Sequence, residues 1–282
     1  MKTRILTALI ALPILIASIV LPYFFPQIAE LKYIFVVLAA LALGAGLFEF
    51  YSLTKKLELK ADAAVGYVGA MVMLAVFIFD APSKAPDLLL LTITLFIIAT
   101  LITQTFRFQA DFSKMLTGIG TTLLGVFYVI FLGGFIIALR VGFEYQIGLS
   151  TKLLGFFFLV IMGADTGAYF SGKFLGKHKL APKISPGKTV EGLIGGIVAS
   201  LLLATLAHFW FFPEFDLKVA LPFAGIMVVI SVLGDLAESA MKRGSDTKDA
   251  ANILPGHGGL LDRLDSLLFN APILYYFAKF YF

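Results

Sequence analysis

The chain contains no cysteine, so it has no thiol nucleophile, no disulfide and no thiolate-bound metal. Charge is scarce: 14% of its 282 residues are Asp, Glu, Lys or Arg, where a soluble domain carries about a quarter. There are three histidines. His178, His208 and His257 are scattered and match no zinc-ligand spacing such as H-E-x-x-H. A Walker motif is missing, and so is a G-x-G-x-x-G run after a strand, which leaves no standard nucleotide cradle. Linkers, low-complexity tracts and internal repeats are also missing.

What is present in excess is apolar surface, at 60% hydrophobic residues. That much grease has no soluble core to fill, so lipid must solvate it. About 20 mostly apolar residues cross a bilayer as a helix. Nine segments qualify, at roughly 5–25, 32–54, 62–80, 87–106, 114–140, 152–173, 191–213, 218–242 and 265–282. The first follows Lys2 and Arg4, has no small-residue cleavage site after it, and runs through Pro22 and Pro26 into the next apolar stretch, so it reads as a retained helix. The ninth is short and contains Pro272. The expected fold is an all-α polytopic membrane protein, with about five spans in residues 1–150 and a C-terminal part, 151–282, that carries the chemistry.

With the N-terminus in the cytoplasm and nine alternating spans, only Lys32, Lys84, Arg140, Lys152, Lys218 and Lys279 of the 22 basic residues fall outside. This is the asymmetry of the positive-inside rule. It places the two longest polar loops, after spans six and eight, on the cytoplasmic side.

Ionisable groups at membrane depth are costly and point to function. Glu49 lies in "GLFEFYSL", Asp165 in "IMGADTGAYFSGKF", and Asp235 and Glu238 in "SVLGDLAESAMKRG". All sit near the expected cytoplasmic helix ends. Asp235, Glu238, Ser239 and Lys242 follow helical spacing along one face, and Asp262, Asp265 and Ser266 repeat that pattern where span nine begins. Glu49 alone reads as an interfacial helix end, and Asp265 equally fits a helix N-terminus, where carboxylates are common. Asp235 after Gly234, and Asp262 after "GHGG", bring carboxylates from two helices to one depth. Oxygen ligands without Cys or grouped His suit a hard cation such as Mg²⁺. We assign Asp235 and Asp262 as its ligands, with Asp265 and Asp165 as further candidates.

The glycines of "LPGHGGLLDR", among them Gly258 and Gly259, precede a helix start, an arrangement that can bind an anion through backbone N–H groups. Lys242, Arg243, Lys248 and Arg263 flank this turn. The other long loop, "GKFLGKHKLAPKISPGKTVEGLIGG", holds five lysines with no acid before Glu191. Lys183 and Lys188 lie nearest its helix start. Phosphate is the ligand that suits such loops. The residues themselves leave kinase, nucleotidyltransferase, phosphatase and anion transporter open.

The run "SAMKRGSDTKDAANILPGHGGLLDRLDS", Ser239 to Ser266, resembles the signature of the phosphatidate cytidylyltransferases. It matches at Ser239, Lys242, Arg243, Lys248, Asp249, Pro255, His257, Gly258, Gly259, Asp262, Arg263 and Asp265. "DTGAYFSGKFLGKHKLAPKISPGKTVEG" is similar to the same family and more loosely to CTP-using polyprenol kinases. The resemblance implies Mg²⁺, with a second cation allowed, and the substrates CTP and phosphatidate. It also implies membrane lipid around a homodimer, no nucleic-acid partner, and residence in a bacterial inner membrane with the site facing the cytoplasm. With this reading we assign catalytic roles to Asp235, Asp262, Lys242, Arg243, Lys248, Asp249, His257, Arg263 and Asp265, and place Lys183, Lys188, Ser239, Gly258 and Gly259 on the substrates. The CDP-alcohol phosphotransferases fit poorly, because "GDLAESAMKRGSD" lacks their DG-x-x-AR element. A CTP-dependent lipid kinase and a membrane anion transporter are the alternative readings.

Nine spans from a cytoplasmic N-terminus place Phe282 outside. A reporter fused after Phe282 should be active in its external form only; cytoplasmic activity would refute the alternation.

Overall fold

The structure is a computed structural model that describes residues 2–107, 112–143, 148–244 and 259–282. Backbone polar groups inside a bilayer must be satisfied within their own segment, and helices do this. The chain forms α1 (Lys2–Phe24), α2 (Lys32–Lys56), α3 (Ala63–Ile78), a single turn α4 (Ala81–Lys84) and α5 (Pro86–Arg107). It continues with α6 (Phe112–Gly125) and α7 (Leu132–Val141), then α8 (Leu149–Leu175), α9 (Val190–Trp210), α10 (Leu217–Gly244) and α11 (Leu261–Tyr281). A π-helical stretch, Val126–Phe131, joins α6 to α7 in one continuous rod. Several hydroxyls along the spans bond within their own helices: Thr92, Thr100 and Thr122 each donate to the carbonyl four residues back, at 2.7–2.8 Å.

Each of the nine expected segments is helical, and the protein is an all-α polytopic membrane protein. Among the described residues, six helical stretches are long and apolar enough to cross a membrane by length and composition. α3 is a shorter apolar helix. α11 departs from the expectation in two ways. It begins at Leu261, four residues before the expected start, so Asp262 and Asp265 lie inside its first turns. It is also not one of the six apolar stretches, because it runs through protein. Its buried Asp265, Ser266 and Asn270 face neighbouring helices, and Leu268, Ala271, Leu274 and Ala278 are fully enclosed. The buried core includes Leu47, Phe77, Val129 and Ile137 with these α11 residues, while Leu41, Leu202 and Phe209 point outward.

The long loop after α8 is a second departure. It folds as an antiparallel hairpin, β1 (Lys179–Ala181) with β2 (Ser185–Thr189). The Thr189 hydroxyl then caps α9 by accepting the Gly192 N–H at 3.0 Å. The ends of α8 and α10 and the starts of α9 and α11 therefore meet at one end of the bundle. The six basic residues expected outside lie at the other end, where Lys152 pairs with Glu214 at 2.5 Å and Arg140 donates to Thr151 at 3.1 Å.

Gly234 decides how closely α10 approaches α11. A Cβ there would stand 2.6 Å from the Asp265 carbonyl oxygen, and backbone cannot yield as a side chain can. Gly234→Ala should push the two helices apart at a cost of about 1–3 kcal/mol. A lowered thermal midpoint of the detergent-purified protein is the expected result, and an unchanged midpoint would show that the helices shift freely.

Candidate active site

The meeting of α8, α10, α11 and the hairpin encloses a cavity of about 580 Å³. Asp165 enters from α8, Asp235 from α10, and Asp262, Arg263 and Asp265 from α11. Lys188 enters from β2, and Tyr169 and Lys173 complete the α8 side. Helical spacing explains the α11 contribution, since residues 262, 263 and 265 occupy a single turn.

The charges are paired, mostly across elements. Lys188 Nζ lies 2.7 Å from Asp235 Oδ2, and the Ser239 hydroxyl donates to Asp235 Oδ1 at 3.1 Å. Lys242 Nζ lies 2.5 Å from Glu238 Oε2 and 2.6 Å from Asp262 Oδ1. Asp235 and Asp262 are thus both brought to the cavity, each beside a lysine. Asp265 is 7% exposed and accepts the Ser266 N–H at 2.6 Å.

The remaining expectations divide. Lys188 reaches the cavity, but Lys183 sits exposed in the hairpin turn and does not line it. Arg243 turns to the hairpin instead, its Nε donating to the Ile184 carbonyl at 3.2 Å. Ser239 supports Asp235 rather than lining the cavity. The expected anion site on the N–H groups that open α11 is already filled by protein. Gly259 donates to Asp262 Oδ2 at 3.0 Å, and Leu260 and Leu261 donate to Glu49. Lys248, Asp249, His257 and Gly258 lie outside the described residues.

Three groups had been discounted or missed. Glu49 is 0% exposed, not an interfacial helix end. Glu238, placed on one helical face with Asp235 by the sequence but given no role, is 1% exposed and shares Lys242 with Asp262. Tyr128 lies in the π-helical stretch, in electrostatic reach of Asp265 and Glu238, with its hydroxyl buried and unbonded among the described residues. Nothing in the apolar run "GVFYVIF" marks it.

Comparison with known proteins decides the family. A model of the cytidylyltransferase family matches residues 2–281. This chain belongs to the cytidylyltransferase family. It is 36% identical over 289 residues to phosphatidate cytidylyltransferase of Bacillus subtilis (strain 168), covering 98% of this chain and 97% of the relative. It is 35% identical over 276 residues to the protein of that name from Pseudomonas aeruginosa, covering 97% and 95%. Against the Haemophilus influenzae protein of that name the match is 48% over 126 residues, 43% of each chain.

Within this cavity Lys242 is the cation shared by two carboxylates. Lys242→Met should leave Glu238 and Asp262 facing each other uncompensated and destabilise the protein by about 3 kcal/mol or more. The exposed Lys183→Ala should change stability by less than about 0.5 kcal/mol. Thermal midpoints of the two purified variants check the contrast.

Proposed function

We propose that the chain catalyses the phosphatidate cytidylyltransferase reaction, CTP and phosphatidate giving CDP-diacylglycerol and pyrophosphate. The observation that carries this reading is the cavity in which carboxylates from α8, α10 and α11 converge with Lys188 and Arg263. Full-length similarity to proteins of that name supports it. Phosphatidate brings its own anionic oxygen, so no protein nucleophile is needed. That oxygen bonds to the α-phosphorus of CTP. The bond from this phosphorus to the bridging oxygen breaks, and pyrophosphate leaves with the electron pair.

Bringing two polyanions together is the electrostatic problem, and fixed cations at the site of developing charge reduce it. Lys188 and Arg263 line the cavity and are placed for phosphate oxygens, with Lys173 at its edge. Lys242 braces Asp262 from behind.

The donor set fits a hard cation, being all carboxylate oxygen. Among the described residues no three such groups are clustered closely enough to hold a metal by themselves. Mg²⁺ does not require that, since one or two carboxylates, waters and substrate phosphates suffice. Asp235 and Asp262 would hold it, with Asp265 or Asp165 as a third ligand and a second cation allowed. When bound, Mg²⁺ would shield the α-phosphoryl oxygens and the departing pyrophosphate.

CTP is water-soluble and phosphatidate lies in the leaflet, so the cavity at a helix-end plane suits both. We place this end on the cytoplasmic face of a bacterial inner membrane, with a homodimer as the assembly. Residues 151–282 supply the cavity and residues 1–150 its support.

Purified protein with phosphatidate, labelled CTP and Mg²⁺ should form a lipid-soluble cytidine product. Release of CDP with γ-phosphoryl transfer to lipid would instead establish a CTP-dependent kinase. Asp235→Asn and Asp262→Asn should each lower kcat by about 10²-fold or more, and because each also loses an ion pair, to Lys188 and to Lys242, activity is compared at a temperature well below the thermal midpoint of each variant. Lys188→Ala should raise the KM for CTP or phosphatidate more than Lys183→Ala does. An Asp262→Asn protein with unaltered Mg²⁺ dependence would overturn the ligand assignment.

A further inference from the structure

α11 carries four cavity residues within its first turns, Asp262, Arg263, Asp265 and Ser266, yet its own sequence supplies little to fix where it starts. The N-cap position is Leu260, which has no side-chain capping bond to offer. An uncapped helix start leaves N–H groups without partners, and here the start is enclosed by protein. The partner comes from 211 residues away in sequence. Glu49, on α2, accepts the Leu260 N–H on Oε1 at 2.8 Å and the Leu261 N–H on Oε2 at 2.7 Å. The next N–H outward, from Gly259, goes to Asp262 at 3.0 Å.

Two bonds to two successive amides fix both the height and the rotation of the first turn. Packing enforces the same alignment one turn earlier on α2. A Cβ at Gly46 would stand 3.2 Å from Leu264 Cδ1 and 3.3 Å from Val129 Cγ1. Leu264 lies between Arg263 and Asp265. One residue of slip would turn α11 by about 100° and carry Asp262, Arg263 and Asp265 off the cavity wall. Glu49 itself does not line the cavity.

We infer that Glu49 is a positioning residue of the reaction, which sets the start of α11 and through it the aim of Asp262, Arg263 and Asp265. The inference rests on the proposed cytidylyl transfer. Through Glu49 the N-terminal helices act on chemistry performed by the C-terminal ones. It also explains why substrate phosphate falls to Lys188 and Arg263. The α11 N-terminus, which would otherwise attract an anion, already holds a carboxylate of the protein.

The test compares the full-length protein with Glu49→Gln and Glu49→Asp in detergent, with CTP and phosphatidate. Gln offers one acceptor where two are used and turns an NH₂ donor against an N–H. Its kcat should fall roughly ten-fold or more, as expected for misplaced groups. KM values for both substrates should stay within about two-fold, the pattern of lost transition-state alignment. Hydrogen exchange at Leu260 and Leu261 should quicken. Asp keeps two acceptors and should recover part of kcat. A Gln variant with parental kcat, or one that loses only thermal stability, would make Glu49 a fold staple and overturn the assignment. Should the Gln protein not fold, parental kcat in Glu49→Asp together with faster exchange at those amides would overturn it equally. Failure of the unsubstituted protein to make a cytidine lipid is a separate outcome, and it refutes the reaction rather than the positioning role.

Discussion

A charge in a low-dielectric bundle must find its partner within the protein, and this requirement organises one whole end of the molecule. Lys188 meets Asp235, Lys242 meets Glu238 and Asp262, and Glu49 meets the opening amides of α11. Apart from Lys242 with Glu238, which share α10, each pairing joins different elements. The ion pairs hold the hairpin to α10 and α10 to α11. The Glu49 bonds hold α2 to α11. Had these groups been scattered along the spans, each would have carried its own desolvation cost without a nearby partner.

The same pairing fixes cations at one place: Asp235 holds Lys188 at the cavity wall and Asp262 holds Lys242 beside it. Close backbone approach makes this geometry reachable. Gly234 lets α10 lie against the Asp265 carbonyl, which sets Asp235 and Asp265 on facing walls of one cavity. The hairpin contributes in a different way. Its short strands present Lys188 inward while its turn carries Lys183 into solvent, and Arg243 ties that turn to the end of α10 through Ile184.

Membership of the cytidylyltransferase family and the cavity chemistry agree without depending on each other. Carboxylates of three helices beside fixed cations suit phosphoryl chemistry whatever the family, and the full-length relatives narrow that chemistry to one class. The helices of the first half match little of the signature, yet they are not passive packing: Leu264 of α11 meets Val129 at Gly46 of α2, and Tyr275 of α11 packs on Phe135 of α7.

From residue order alone came the polytopic helical architecture and the set of carboxylates at one depth. Lipid imposes a constraint on composition, and composition is written in the chain: a span needs its own run of apolar residues, so the helical segments were readable one by one, six of them long and apolar enough to cross among the described residues. The carboxylates of α10 and α11 were readable for the same reason, because a charge beside such a run is conspicuous. What stayed hidden depends on distance in space. Lys183 and Lys188 stand five positions apart in one loop and look alike in sequence, but only strand pairing sends one to Asp235 and the other to solvent. Glu49 read as an ordinary interfacial residue, since its partners are amides more than two hundred positions away. The glycine-rich turn before α11 suggested an open anion site, and tertiary contact filled its amides with Glu49 and Asp262. Local chemistry marks which residues are costly to bury. Which partner meets that cost is decided only when the helices pack.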